Sequence, residues 1–408
     1  MQLTSAERLA VLMLINRRPW SARRSRRRFS APLTLLTGAL AGILVLALGW
    51  LGGALTPKPQ PDLSGLGDAQ RAFAGGDLDG TVEAAERVLA VTPGQPDAAL
   101  MMVRALIYRS YTDWDRAADR KRALDVARAA INRAPDSADA QAAYAFALHA
   151  DGQRLAAFNA AEHALQIQPT HTMARVVYGL AYAGLGSFDR ALIQLQQAVK
   201  ATDYQVDALR ALAVVQSDAG RYRDAANTVD KAIALNWGLI PLHFERALYA
   251  LQIGDGGAAS TAYLRVLALD SENVKARLRL CELHSTLREF DQAIRTCTEV
   301  TERAPDWSAG WHRLGREYFL LGDFPSAQAA FNRCSTLESM QNVAPAERTF
   351  ECWYLQGQAA ALNNDCDALW ATYREFQIMA LGGPLAQTWV YPPEGPPNCP
   401  RATPTPPR

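Results

Sequence analysis

The chain has 408 residues, 42 Lys and Arg against 41 Asp and Glu, and 49% hydrophobic residues. Eight arginines and one acid, Glu7, give residues 1–57 a charge of +7, which leaves the remainder six negative against a total of +1. An acidic body excludes general nucleic-acid binding, which needs a basic face to displace counterions, and Ala-rich composition with few β-branched runs points to an all-α body.

At the N-terminus, Thr4-x-x-Glu7 has capping-box spacing ahead of Leu9, Val11, Leu12, Met13 and Ile15, which predicts a short interfacial helix. The cluster Arg23–Arg28 follows, and from Phe29 to Pro57 no residue is charged. A transmembrane helix is expected over 31–57, since the run is long enough to cross a bilayer core. The charge step then places the basic segment 1–30 in the cytoplasm and the remainder outside it, in a single pass across the cell membrane. Ser25-Arg26-Arg27-Arg28-Phe29 also resembles a twin-arginine export signal, with Gly52-Gly53-Ala54 as a site for cleavage. Both readings put the body outside the cytoplasm.

Beyond Pro57 the sequence has a period of 34. Gly152, Gly186, Gly220, Gly254, Arg288 and Gly322 stand at that spacing, and a Gly in five of six marks a point where a helix must stop and turn. Two residues later come Arg154, Phe188, Tyr222, Gly256, Phe290 and Phe324. Five after each turn site comes Ala157, Ala191, Ala225, Ala259, Ala293 or Ala327, a small side chain that lets two antiparallel helices approach. Pro135, Pro169 and Pro305 end the second helices. The unit 308–341 adds Trp311, Leu314, Gly315 and Tyr318 before Gly322, Phe324, Ala327 and Phe331.

This pattern resembles the tetratricopeptide repeat. Gly76 and Pro93 bracket an earlier unit at about 62–95, and a second unit carries an insertion around Thr112–Asp119. Trp353 and Gly357 start a ninth unit after another insertion near Gln341–Arg348. The expected fold is an all-α solenoid of about nine helix-turn-helix units within 58–383, stacked into one continuous core. The tail 384–408 is so rich in Pro that it should be extended or disordered.

The extracytoplasmic part contains no Gly-rich phosphate loop, HExxH or GxSxG, so no catalytic site, cofactor or small-molecule substrate is expected. Asp77-x-Asp79-Gly80 has the opening of a calcium loop without its bidentate Glu; at a turn between helices, Asp77 should cap the next helix instead. Cys281-x-x-His284 with Cys297 offers zinc ligands, but these positions face inward, and packing or a disulfide is the preferred reading over any metal. Cys281 and Cys297 lie seven residues before Arg288 and seven after Phe290, at one height of an antiparallel hairpin, as a bridge requires. Proximity along the solenoid suggests Cys334–Cys352 and Cys366–Cys399, among fifteen possible pairings.

The resemblance implies that unit positions 2, 5, 9 and 12 of each first helix line a concave face that receives peptides or extended segments. Here these include Phe146, Val176, Leu180, Asp207, Arg210, Phe244, Leu248 and Leu251, followed by Lys275, Glu282, His312, Arg316 and Phe319. The Lys/Asn clamp of relatives that capture chaperone tails does not occur. Two functions follow: a membrane-anchored, non-catalytic scaffold that binds a protein or peptide partner, or an accessory subunit of an envelope export or polysaccharide-secretion machine. A partner's apolar side chains are expected at Phe244, Leu248 and Leu251 and its acidic groups at Arg210 and Arg316.

Overall fold

The computed structural model describes residues 64–381, 383, 385–391 and 395–400. The segment 1–30 with its interfacial helix and the transmembrane helix expected over 31–57 lie outside the described residues. Among the described residues, no helix is long and apolar enough to cross a membrane.

Eighteen α-helices and no strand occur among the described residues, and they form nine antiparallel pairs. The pairs are α1 (Ser64–Ala74) with α2 (Leu78–Val91), α3 (Pro96–Arg109) with α4 (Ala118–Arg133), and α5 (Ala138–Ala150) with α6 (Arg154–Ile167). Next come α7 (Thr172–Gly184) with α8 (Phe188–Ala198), α9 (Gln205–Asp218) with α10 (Tyr222–Leu235), and α11 (Ile240–Gln252) with α12 (Gly256–Leu269). The last three are α13 (Val274–Thr286) with α14 (Phe290–Arg303), α15 (Ser308–Leu321) with α16 (Phe324–Met340), and α17 (Phe350–Leu362) with α18 (Cys366–Ala380).

The 34-residue series has a direct structural meaning. Gly152, Gly186, Gly220, Gly254 and Gly322 have φ between 75° and 80°, and Arg288, the exception in sequence, adopts the same left-handed conformation at φ 62°. The residues two further on open the second helix of their pairs. The alanine five after each turn site is fully buried in all six units, because a larger side chain would hold the paired helices apart. A second complementary site lies midway along each hairpin. A Cβ on Gly315 would meet the Phe331 ring, and one on Gly179 would meet Leu195. In the pair α13/α14 this same site holds Cys281 and Cys297, bonded to each other. Cys334–Cys352 and Cys366–Cys399 are also disulfides.

Both insertions expand the loop between helices and each contains a short 3-10 turn, Trp114–Arg116 and Pro345–Glu347. The first reaches across the superhelix. Asp113 accepts hydrogen bonds from the backbone N–H groups of Val274 and Lys275 at 3.1 Å each, adding a second cap to α13, whose own Asn273 accepts from Ala276. Asn273 Nδ2 donates to the Thr112 carbonyl, and Trp114 stacks on Trp307 with ring centroids 5.4 Å apart. Nearby, Asn236 Nδ2 donates to the Phe73 carbonyl at 2.7 Å. The chain from the first pair to the seventh therefore closes on itself, with the loop 112–117 as the clasp.

The tail departs from expectation. Trp389 and Cys399 are buried, at 3% and 0% exposure, and Tyr391 packs with them against the last pair. Gln377 donates to the Trp389 carbonyl and Gln358 to the Tyr391 hydroxyl. Two aromatic side chains and a disulfide anchor outweigh the Pro-rich composition, and the described parts of the tail cover the end of the solenoid, where a stacked array otherwise exposes core.

Candidate functional site

Closure turns the concave face of the middle pairs into the wall of a lumen of about 290 Å³. Successive first helices each contribute side chains: Phe146 and His149 from α5, Val176 and Leu180 from α7, and Asp207, Arg210 and Val214 from α9. Phe244, Glu245 and Leu248 come from α11 and Lys275 from α13, while Ile107, Tyr108 and Tyr111 close the space from α3 and the loop after it. Helical periodicity explains the set, because positions three and four apart on each helix share one face.

Eight of the thirteen concave-face residues expected from the sequence, Phe146, Val176, Leu180, Asp207, Arg210, Phe244, Leu248 and Lys275, meet at this lumen, whereas Glu282, His312 and Phe319 do not line it. Leu251 is 41% exposed and stands outside it, and Arg316 lies two pairs further on, against Glu351. Phe146, Val176 and Leu180 are only 3%, 1% and 7% exposed and belong to the main core. They are walls, not a free groove surface. Leu248, at 49% exposure, stands at the rim.

Charges at and beside the lumen are held in bonded pairs. Arg104 from α3 reaches Asp207 on α9 through Nε and Nη2, at 3.2 and 2.5 Å, and stacks between Phe73 and Tyr204. Burial pulls this guanidinium's pKa down and Asp207 more than offsets it, so the charge persists. Arg210 binds Glu245 at 2.7 Å and lies over the Tyr108 ring. Arg210, one of the two arginines expected to receive a partner's acids, is therefore already engaged with a carboxylate of this chain, since a buried guanidinium left unpaired would cost several kcal/mol; the other, Arg316, is partly exposed.

Three polar atoms on lining residues have no hydrogen-bond partner among the described residues: Tyr108 Oη, His149 Nδ1 and Glu245 Oε2. Burial pushes the Tyr108 hydroxyl and the Glu245 carboxyl up. Burial, with Arg210 and Arg154 nearby, holds His149 down at about 4, so its ring is neutral at pH 7. Lys275 donates to the Tyr111 carbonyl at 2.7 Å and sits 4.7 Å from the centroid of Phe244. Its burial and the repulsion of Arg279 lower it to about 8, leaving it mostly protonated at pH 7.

Arg104, Tyr108 and Glu245 escape a reading by repeat position. The visible signal for Arg104 is its place in the apolar run Ala98–Tyr108, where a lone charge needs a partner from elsewhere. Outside the lumen, Asp77 caps α2 by accepting from Gly80 at 2.8 Å. Cys334, Glu338 and Cys352 come close enough to hold a metal, but their two sulfurs are joined in a disulfide and offer no thiolate.

The tetratricopeptide repeat family matches residues 250–318 and again 308–339. A stretch of 93 residues is 25% identical to the heat shock protein sti1 homolog of Schizosaccharomyces pombe; it is 21% of this chain and 16% of that protein. Among solved structures, the APC/C hetero-tetramer Cut9-Hcn1 aligns over 78% of this chain and 59% of its own, with TM-score 0.54 and 14% identity. A tetratricopeptide repeat protein from Parabacteroides merdae aligns over 62% of this chain and 96% of its own, with TM-score 0.43 and 16% identity. The chain thus spans less than two thirds of the first two relatives, and what it shares with the Cut9-Hcn1 structure is the fold.

Proposed function

We propose that this tetratricopeptide-repeat chain is a membrane-anchored scaffold that works outside the cytoplasm and holds a protein partner at the open side of its concave face. The observation that carries the reading is the convergence of concave positions from successive repeats on one apolar opening. Leu248 and Leu251 remain 49% and 41% exposed at and beside that opening, where they hold no part of the core. Exposed leucines beside a well-formed hollow are the kind of place where interface energy concentrates. The pairing of all six cysteines supports an oxidising compartment, as does the charge step ahead of 31–57.

The test is a pull-down from solubilised membranes with the full chain and with Leu248→Asp/Leu251→Asp. A partner retained by the parent and lost by the double variant, at unchanged melting temperature, is the expected result. Equal retention would remove the concave face from the reading. Protease added to spheroplasts should digest the repeats; full protection of residues after 58 would overturn the extracytoplasmic placement.

A further inference from the structure

The lumen has chemistry that a protein scaffold does not need. Its volume of about 290 Å³ matches roughly ten waters, or one molecule of about ten to fifteen non-hydrogen atoms, and lies at the small end of the range for ligand pockets. Ile107, Phe146, Val176, Leu180, Val214 and Phe244 give it apolar walls that suit a compact hydrocarbon or aromatic body. Its charges are unevenly matched. Arg210 and Glu245 neutralise one another, and Asp207 is held by Arg104, which leaves the Lys275 ammonium without an ion pair among the described residues. The carboxylate of Asp113 lies outside the lumen's lining; it attracts the Lys275 ammonium but is itself hydrogen-bonded by the backbone N–H groups of α13.

A second observation points the same way. Tyr108 is fully buried, yet its hydroxyl, on a wall of the lumen, has no partner, and His149 Nδ1 and Glu245 Oε2 share that condition. Buried polar atoms are normally satisfied, since leaving one unpaired costs as much as a lost hydrogen bond. Three of them around one hollow mark a place where a guest with hydrogen-bonding groups fits better than a plain hydrocarbon.

We propose that the lumen is a binding site for a small organic acid with an aromatic or branched apolar body, its carboxylate at Lys275 and a hydroxyl on its body within reach of Tyr108 and Glu245. The partly exposed α11 residues Phe244 and Leu248 form the entrance. Lys275 Nζ keeps its bond to the Tyr111 carbonyl and uses its remaining donors for the carboxylate, against the face of Phe244. The site shares Leu248 at its entrance with the partner-binding reading, but its test varies Lys275 and Val214 only, so the two readings can fail independently.

The probe is 3-(4-hydroxyphenyl)propionate, titrated by calorimetry into the full chain in lipid nanodiscs, with empty nanodiscs as the blank. Its amide, which has the same shape without the charge, is the comparison. The acid should bind at one site per chain and at least tenfold more tightly than the amide. Lys275→Met should abolish that preference, and Val214→Phe, which fills the lumen from α9, should abolish both bindings. Absence of saturable heat with the acid overturns the proposal. So does a tenfold preference that survives Lys275→Met, an arm that decides the matter even where Val214→Phe does not fold. Undiminished binding to a folded Val214→Phe chain places the probe elsewhere and overturns it too.

Discussion

Arg104 and Asp207 show how much a single buried contact carries. Both are under a tenth exposed, lie 103 residues apart in sequence, and connect α3 with α9. Asp207→Ala should destabilise the chain by about 3–5 kcal/mol, because it leaves a guanidinium buried without its counter-charge. Arg104→Met combined with Asp207→Leu should fold near parental stability, and denaturant melts of the two variants separate these outcomes. His149 gives a pH signature. Its folded pKa of about 4 lies below the unfolded value, so between pH 6.5 and 4 the unfolded chain takes a proton that the native chain refuses. Stability contributed by the neutral ring is therefore complete above pH 6.5 and drains away as the pH falls towards 4, by about 2–3 kcal/mol. His149→Gln should flatten that part of the stability–pH curve. The sequence marks His149 only as one of several scattered histidines; its environment exists once α3 and α9 meet.

At the scale of the helical pair, the repeat rule is one of conformation and volume. The turn site demands a left-handed residue, the alanine five further on demands a close approach, and the mid-hairpin site demands complementary sizes. Gly315 with Phe331, Gly179 with Leu195 and the Cys281–Cys297 disulfide are three solutions to that last demand. Arg288, like Asn364 at the turn of the last pair, meets the first rule at a cost, since a side chain in the left-handed region is disfavoured by about 1–2 kcal/mol. The Arg288 side chain is exposed, so nothing is lost with it. Arg288→Gly should raise stability by about 1 kcal/mol, reduced by the greater entropy of glycine in the unfolded chain, and thermal melts would read the gain.

At the scale of the whole solenoid, the clasp at 112–117 decides what the concave face becomes. Its contacts to α13 and Trp307 bridge about 160 to 190 residues of chain, so they add closure that neighbouring repeats do not supply. Asp113→Ala with Trp114→Ala should open the superhelix. The expected signs are a larger radius of gyration of the repeat region by small-angle scattering and faster proteolysis at the loop, with helix content unchanged by circular dichroism. An unchanged radius would mean that the stacking of adjacent pairs sets the curvature without the clasp.

The sequence by itself determined the repeat: its period, the pairs, the turn sites and the alanines, all of which depend on residues within one hairpin or its neighbours. The positions facing the concave side were legible for the same reason, because helical periodicity assigns a face before any packing is known. Only the tertiary structure decided that those faces enclose a lumen. That outcome rests on small rotations between pairs summed over six repeats, and on an insertion whose partners lie some 160 residues away. The tail follows the same division. Its prolines were plain in the sequence, but Trp389 found its place only once α17 and α18 had made a surface to cover.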